Sequence, residues 1–330
     1  MAAEGLRHEN GRETLSHFGC ALRRSLSYFV SDGRRRRAFL YFVSHRLITS
    51  MLESLAIIVL TQNEADNLPR CLESIAGFGE AVVVDSGSDD GTQEIARQAG
   101  ARVYDHPFES FARQRNWALE NCDLKTQWIL FLDADEIATP EFRQAVTSGI
   151  RDAPDLIAGF YCCWKMMLDQ RWLCRSDSFP KWQLRIVRRG HADFIDSGHG
   201  QREGRVDGEL GYIREPYLHY ALSKGWEAWW AKHNQYSGEE AADRFSRSAS
   251  WRELFSKDPS RRNRALKPVL SRIPGGPLLR FLHMYILKGG FLEGREGFAY
   301  CASMGWYEYL IRAKMRDRGK RQIPRPLPSD

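Results

Sequence analysis

The sequence has no apolar run able to cross a bilayer. Leu55–Leu60 and Trp128–Leu132 are among its longest, far short of the roughly 20 residues a spanning helix needs. No Cys-x-x-Cys pair occurs among its seven cysteines (Cys20, Cys71, Cys122, Cys162, Cys163, Cys174 and Cys301). Their odd count and spacing fit reduced thiols better than a disulfide framework or a zinc cage. A Gly-x-x-x-x-Gly-Lys-Ser/Thr phosphate loop is missing, and so is a Gly-x-Gly-x-x-Gly dinucleotide turn. No apolar stretch of the secretory-leader kind follows Met1, so the expected location is the cytoplasm. Lysine is absent from the first 50 residues, where nine arginines stand against four acids.

What is present is ordinary for a globular enzyme-sized chain: 330 residues, 43% hydrophobic and 27% charged. The net charge of +6 hides a division. Residues 1–50 carry +5, residues 51–220 carry −9 (18 basic, 27 acidic), and residues 221–330 carry +10 (21 basic, 11 acidic). Residues 1–50, with the run Arg34–Arg37, read as an extension outside the fold, and Met51 stands where translation is as well expected to begin. Residues 322–330, with three prolines, read as a disordered tail.

From Leu55 onward strands and helices alternate. Leu55–Leu60, Ala81–Val84, Arg102–Tyr104 and Gln127–Leu132 read as strands, the first and last as continuous apolar runs of a sheet buried on both faces. Between them lie helices: one capped by Asp66 or Asn67 with Pro69 in its first turn, one over Thr92–Ala99, and one over Ser110–Asn121. Thr139 with Pro140 behind it opens a further helix. This alternation predicts βαβ units and a mostly parallel α/β sheet. The polar groups at the strand ends, Thr61–Glu64, Asp85–Asp90 and Asp133–Glu136, then share one rim, where open α/β sheets bind ligands. Beyond residue 150 the strands look mixed (Ala158–Lys165, Trp182–Arg188, Leu218–Tyr220), and 190–216 reads as loop-rich. From Lys224 the chain reads as helical.

Three acids ending a buried strand, Asp133, Asp135 and Glu136, are costly without a partner. Two carboxylates with open positions suit Mg²⁺ or Mn²⁺; the alternative is a cap for the next helix. Asp85-Ser-Gly-Ser-Asp-Asp-Gly-Thr92 would repel phosphate, but its acids can accept hydrogen bonds from a base or a ribose; the alternative there is a capping turn through Asp90 or Thr92.

In this order and spacing, Val59–Glu64, Val83–Thr92, Arg113–Asn116 and Asp133–Asp135 resemble a family 2 glycosyltransferase of GT-A fold: a Rossmann-like, mostly parallel mixed sheet flanked by helices, with a C-terminal helical annex. Residues 51–222 would be the catalytic domain and 223–321 the annex. Lys181–Arg185, Leu218–Tyr220, Lys232–Ser237 and Leu287–Leu292 resemble the branch that adds β-glucosyl units to the lipopolysaccharide core. The resemblance implies that Thr61 and Glu64 line the nucleotide site, that Asp85 receives the base, and that Arg113 lies near the nucleotide. It implies further that Asp133 contacts the ribose, that Asp135 holds the divalent metal on the donor diphosphate, and that His219 completes the metal shell. A His-Glu pair supplies the base in that branch. Here Phe194–Gln201 contains His199 with no glutamate after it, so Asp196 is the first candidate base, His199 the second and Glu203 the third. The implied partners are a nucleotide-sugar donor, UDP-linked, and a glycan or lipid-linked acceptor; a catalytically silent relative would share these features.

The stripe Trp226, Trp229, Trp230, His233 and Tyr236 falls at helical spacing and suits packing better than a sugar platform. Leu278–Leu287 and Phe298–Ile311 are apolar-rich beside Arg261, Arg262, Arg264, Lys267, Arg272, Arg280 and Lys288. That combination suits an anionic membrane surface, and hence a peripheral position at the inner face of the cell membrane, as well as it suits a solvated basic face. No nucleic-acid motif accompanies the charge, so nucleic acid is not expected as a partner.

Overall fold

The computed structural model describes residues 54–198, 200–246, 255 and 273–321. The N-terminal extension, the proline-rich tail, His199 and the basic residues from Arg261 to Arg272 lie outside them.

Among the described residues, eleven strands and seven α-helices form in the order β1 (Leu55–Thr61), α1 (Leu68–Ile75), β2 (Glu80–Asp85), α2 (Thr92–Gln98), β3 (Arg102–Asp105), α3 (Phe111–Asn121), β4 (Trp128–Asp133), β5 (Glu136–Ile137), α4 (Pro140–Arg151), β6 (Ile157–Leu168), β7 (Arg171–Trp172), β8 (Trp182–Arg188), β9 (Ala192–Ser197), β10 (Gly200–Val206), β11 (Glu209–His219), α5 (Gly225–Ser246), α6 (Gly276–Leu282) and α7 (Gly294–Arg321). The main sheet runs β3-β2-β1-β4-β8-β6-β11-β5, with β7 paired to β6. β3, β2, β1 and β4 are mutually parallel. β8 enters antiparallel to both β4 and β6, and β11 is parallel to β6. This is the mostly parallel, mixed sheet that the alternating pattern predicts. β1 is apolar from Leu55 to Leu60 and β4 from Trp128 to Leu132, and every residue from Leu55 to Val59 is buried.

Helix boundaries follow their caps. Ser110 Oγ accepts from Arg113 N at α3 (3.2 Å), and Thr139 Oγ1 from Phe142 N at α4 (3.1 Å). Asn67 stands at the α1 cap position but makes no capping bond; its amide donates to Glu64 Oε2 (2.7 Å). Asp66 does not cap the helix either.

The stretch 190–216 corrects the loop-rich reading. It holds the β9–β10 hairpin and most of β11, which begins at Glu209 rather than Leu218. The hairpin is a separate two-stranded sheet fixed on α3: Asn116 donates to Phe194 O (2.8 Å) and accepts from Phe194 N (2.9 Å). Its alternation is weak because only Ala192 and Phe194 are buried along β9, so no clean period of two marked it.

Backbones approach closely where β6 meets β8. A Cβ on Gly159 would lie 2.5 Å from Ile186 O. The helical annex shares a core with the sheet's far end, where Met166, Leu168 and Leu173 pack with Leu222, Trp229, Met284, Tyr300 and Cys301. The aromatic stripe on α5 is mostly packing: Trp229 is buried and stacks on His233 (3.5 Å between centroids), while Trp230 lies outward against Trp306.

Candidate active site

The pairing register sets Thr61 beside Asp85 and Leu60 beside Asp133, so the three polar strand ends do share one rim. The first two loops are stitched together. Asn63 N donates to Ser88 Oγ (2.7 Å), Glu64 N to Thr92 Oγ1 (2.8 Å), Ala65 N to Asp90 Oδ2 (3.0 Å) and Asp89 N to Asn63 Oδ1 (3.0 Å). Asp90 also accepts from Thr92 N at the start of α2 (3.0 Å), the capping turn held open by the sequence.

Asp85 lies fully buried beneath this loop. Its carboxylate accepts from Thr61 Oγ1, Ser88 Oγ, Ser88 N, Gly87 N and Gln93 Nε2, at 2.6–3.1 Å. Burial pushes its carboxyl up, and the bonds from Ser88, Gln93 and Thr61 more than reverse that, leaving it below the usual range. Glu64 reaches across to Lys224, just beyond β11 (2.6 Å); burial raises its pKa despite that cation. Arg113 is not gathered in: its guanidinium is exposed and pairs with Glu109 one turn back.

The third loop is built on two arginines that carried no assigned role in the sequence. Arg115 Nη2 lies 3.2 Å from Asp133 Oδ1, and Arg185 Nη2 lies 3.2 Å from Asp133 Oδ2 and 2.7 Å from Glu136 Oε1. Glu136 Oε2 in turn accepts from Asp133 N (2.9 Å). Both guanidiniums are buried against aromatic faces, Arg115 over Phe131 and Phe194 and Arg185 over Tyr217. Burial works against the Asp133 carboxylate, but Arg185 and Arg115 hold its pKa well down. Glu136, fully enclosed, is raised by burial. Burial, then repulsion from Arg185, lowers Arg115 to about 10. Arg185 was visible as the last residue of Lys181–Arg185; no local pattern says that its side chain is buried.

Asp135 stands free of these arginines and faces β11. Its Oδ2 lies 3.6 Å from His219 Nε2, and its carbonyl accepts from Tyr220 N (2.9 Å). The antiparallel pair Glu136–His219 sets the distance. Burial disfavours the imidazolium, but Asp135, with Glu136 and Asp133 behind it, raises the His219 pKa to about 9. His219 Nδ1 is buried with no hydrogen-bond partner.

Of the candidate bases, Asp196 is exposed on β9 and Glu203 lies half-buried on β10 opposite Phe194. A carboxylate from elsewhere in the chain does approach Gly198, at the end of β9: a Cβ there would lie 2.6 Å from Glu240 Oε2 of α5. Glu240 is buried and paired to Arg244 (2.9 Å).

The family model for Glycosyl transferase family 2 matches residues 56–202, from β1 into the β9–β10 hairpin. The chain carries a family 2 glycosyl transferase domain. Among its relatives, this glycosyltransferase is 27% identical over 270 residues to the lipopolysaccharide core biosynthesis glycosyltransferase LpsC of Rhizobium meliloti, covering 80% of this chain and 92% of the relative. It is 24% identical over 279 residues to an uncharacterized glycosyltransferase of Rickettsia bellii, covering 81% and 87%. Among solved structures it is similar to S. aureus TarS residues 1–349 in complex with UDP-GlcNAc (15% identity, 82% and 93% of the two chains, TM-score 0.38). The glycosyltransferase's rim is thus made by β1, β2 and β4 of the matched segment, while His219 comes from β11 beyond it.

Proposed function

We propose that this glycosyltransferase moves a sugar from a UDP-linked donor to a glycan or glycolipid acceptor in cell-envelope polysaccharide synthesis, at the cytoplasmic face of the membrane, inverting the anomeric centre in one displacement. The observation that carries the reading is the division of labour at the end of β4. Asp133 is locked by two buried arginines, whereas Asp135 is left to face His219 across 3.6 Å.

A divalent cation fits that pair. One carboxylate oxygen and one imidazole Nε2 facing each other across 3.6 Å suit Mg²⁺ or Mn²⁺, which takes the rest of its shell from phosphate oxygens and water. Among the described residues no three His, Cys, Asp or Glu side chains converge as a full cage, consistent with a shell shared with the donor. When bound there, the cation neutralises charge on the leaving diphosphate.

The chain's own groups do the rest. Thr61, Glu64 and Asp85 form the nucleotide wall, Asp85 by holding the Gly87–Ser88 backbone in place. Asp133, fixed by Arg115 and Arg185, offers the ribose an ionised acceptor in a set position. Arg113 meets the diphosphate on releasing Glu109. Asp196, with His199, takes the acceptor hydroxyl's proton, worth typically 10²–10⁴-fold. Asp135→Ala tests the reading: it should abolish Mn²⁺-dependent turnover of UDP-sugars while thermal unfolding stays that of a folded protein. Unchanged turnover would overturn it.

A further inference from the structure

The annex carries an apolar surface that the catalytic reading leaves unused. α6 continues through a π turn over His283–Leu287. Leu279, Ile286 and Leu287 are exposed, Leu287 by 79%. A 3₁₀ turn over Gly290–Glu293 adds exposed Phe291 and Leu292. Phe298 of α7 closes the patch through ring contacts with Phe281 and Tyr285 at 5.8 and 5.6 Å. Contiguous exposed apolar surface of this kind marks an interaction site.

The platform beneath is firmly packed. Met284 and Tyr300 are buried in the shared core. Tyr300 Oη donates to Asp177 (2.7 Å), and Glu293 is turned inward to accept from Arg175 N and Ser176 N (2.5 and 3.0 Å). The side chains that face outward are therefore presented by a fixed scaffold.

Charge decides the occupant. Arg280 and Arg295 are exposed, and no ion pair involves either among the described residues. Lys288 adjoins them, donating to Ser178 Oγ (2.7 Å). The neighbouring acids are spent: Glu293 is buried and Glu296 is paired to Arg171 (3.1 Å). A second copy of the chain would bring like charges together, whereas an anionic leaflet meets both the cations and the apolar side chains.

We propose that α6, the turns at 283–293 and the start of α7 form a docking face for an anionic lipid bilayer, with Ile286, Leu287, Phe291 and Leu292 entering the headgroup boundary and Arg280 and Arg295 meeting lipid phosphates. This gives residues to the membrane-face part of the reading above and rests on it only for location. The test uses the full chain and sucrose-loaded vesicles of phosphatidylcholine, with or without about one-third phosphatidylglycerol. The wild type should pellet with anionic vesicles at low salt and much less with neutral ones. Arg280→Gln with Arg295→Gln should weaken binding by about 25-fold, roughly fivefold per cation. Ile286→Glu with Leu287→Glu should abolish it, with unchanged thermal unfolding and unchanged donor hydrolysis in solution. Retention of that hydrolysis keeps failure here distinct from failure of the transfer chemistry. Wild type that stays in the supernatant, or an Ile286→Glu/Leu287→Glu chain that still pellets, would overturn the proposal. So would a wild-type dimer by light scattering that the same substitutions convert to monomer, since the face would then join two copies.

Discussion

Replacing Arg185 with methionine should remove the keystone of the buried charge cluster. One nitrogen, Nη2, serves both Asp133 (3.2 Å) and Glu136 (2.7 Å). The guanidinium is 3% exposed and the Glu136 side chain 0%, so the Glu136 arm of the pair is unscreened, while Asp133 at 31% keeps some water. Removing one member of such a pair strands the other and typically costs about 3–5 kcal/mol. The Glu136 arm should carry most of that. At about 1–3 kcal/mol per molar urea, the unfolding midpoint should fall by between about 1 and 5 M. Glu136→Gln alone should cost less, because Arg185 keeps Asp133. The double substitution should be milder than the sum of the singles by about 1–3 kcal/mol, since the second change removes the charge that the first stranded. Urea unfolding of the four proteins, followed by tryptophan fluorescence and circular dichroism, measures this coupling. Additivity within about 0.5 kcal/mol would refute the cluster as an energetic unit. UDP binding by the folded fraction of Arg185→Met should weaken too, because Asp133 loses one of its two clamps.

The remaining predictions concern other parts of the site and sheet. Asp85 is held below its ordinary pKa, so its contribution to stability is present above about pH 4 and is lost as pH falls through the folded value; acid titration of unfolding should show a shallower loss for Asp85→Asn than for wild type. Gly159→Ala forces a Cβ against the Ile186 carbonyl and should cost about 1–3 kcal/mol in urea unfolding, with a full rescue by no neighbouring side-chain truncation because the obstacle is backbone. Asp196→Asn should lower kcat for transfer by about 10²–10⁴-fold and leave donor affinity near wild type. If Glu240→Gln instead produces that kinetic signature, the carboxylate at the hairpin turn comes from α5.

The strands that were legible are those whose burial is uniform or whose ends are punctuated. β1 and β4 announced themselves as apolar runs, and α4 began where Thr139 and Pro140 said it would. The shared rim followed from topology alone. β9, β10 and β11 before Leu218 were not legible: their faces are half-buried, with charged residues such as Arg202, Arg205 and Arg214 on them. The carboxylates of the site were readable because acids at the end of an apolar strand need a reason. Arg115 and Arg185 were not, because the fold buries them by long-range packing, and a basic residue in a sequence looks the same whether it faces water or a tyrosine ring.

Asp135 and His219 stand more than eighty residues apart in the chain, joined by the short β5–β11 pairing and the adjoining bond from Tyr220 N to the Asp135 carbonyl. The four parallel strands, by contrast, close through successive βαβ units within residues 55–133. Loop-closure entropy makes the distant pairing the slower event. A nascent chain can therefore hold the rim of Thr61, Asp85 and Asp133 before β11 has emerged, without the Asp135–His219 pair. On the proposed function, competence for transfer would arrive with β11, and an incompletely synthesised or locally frayed chain would hold its donor without spending it.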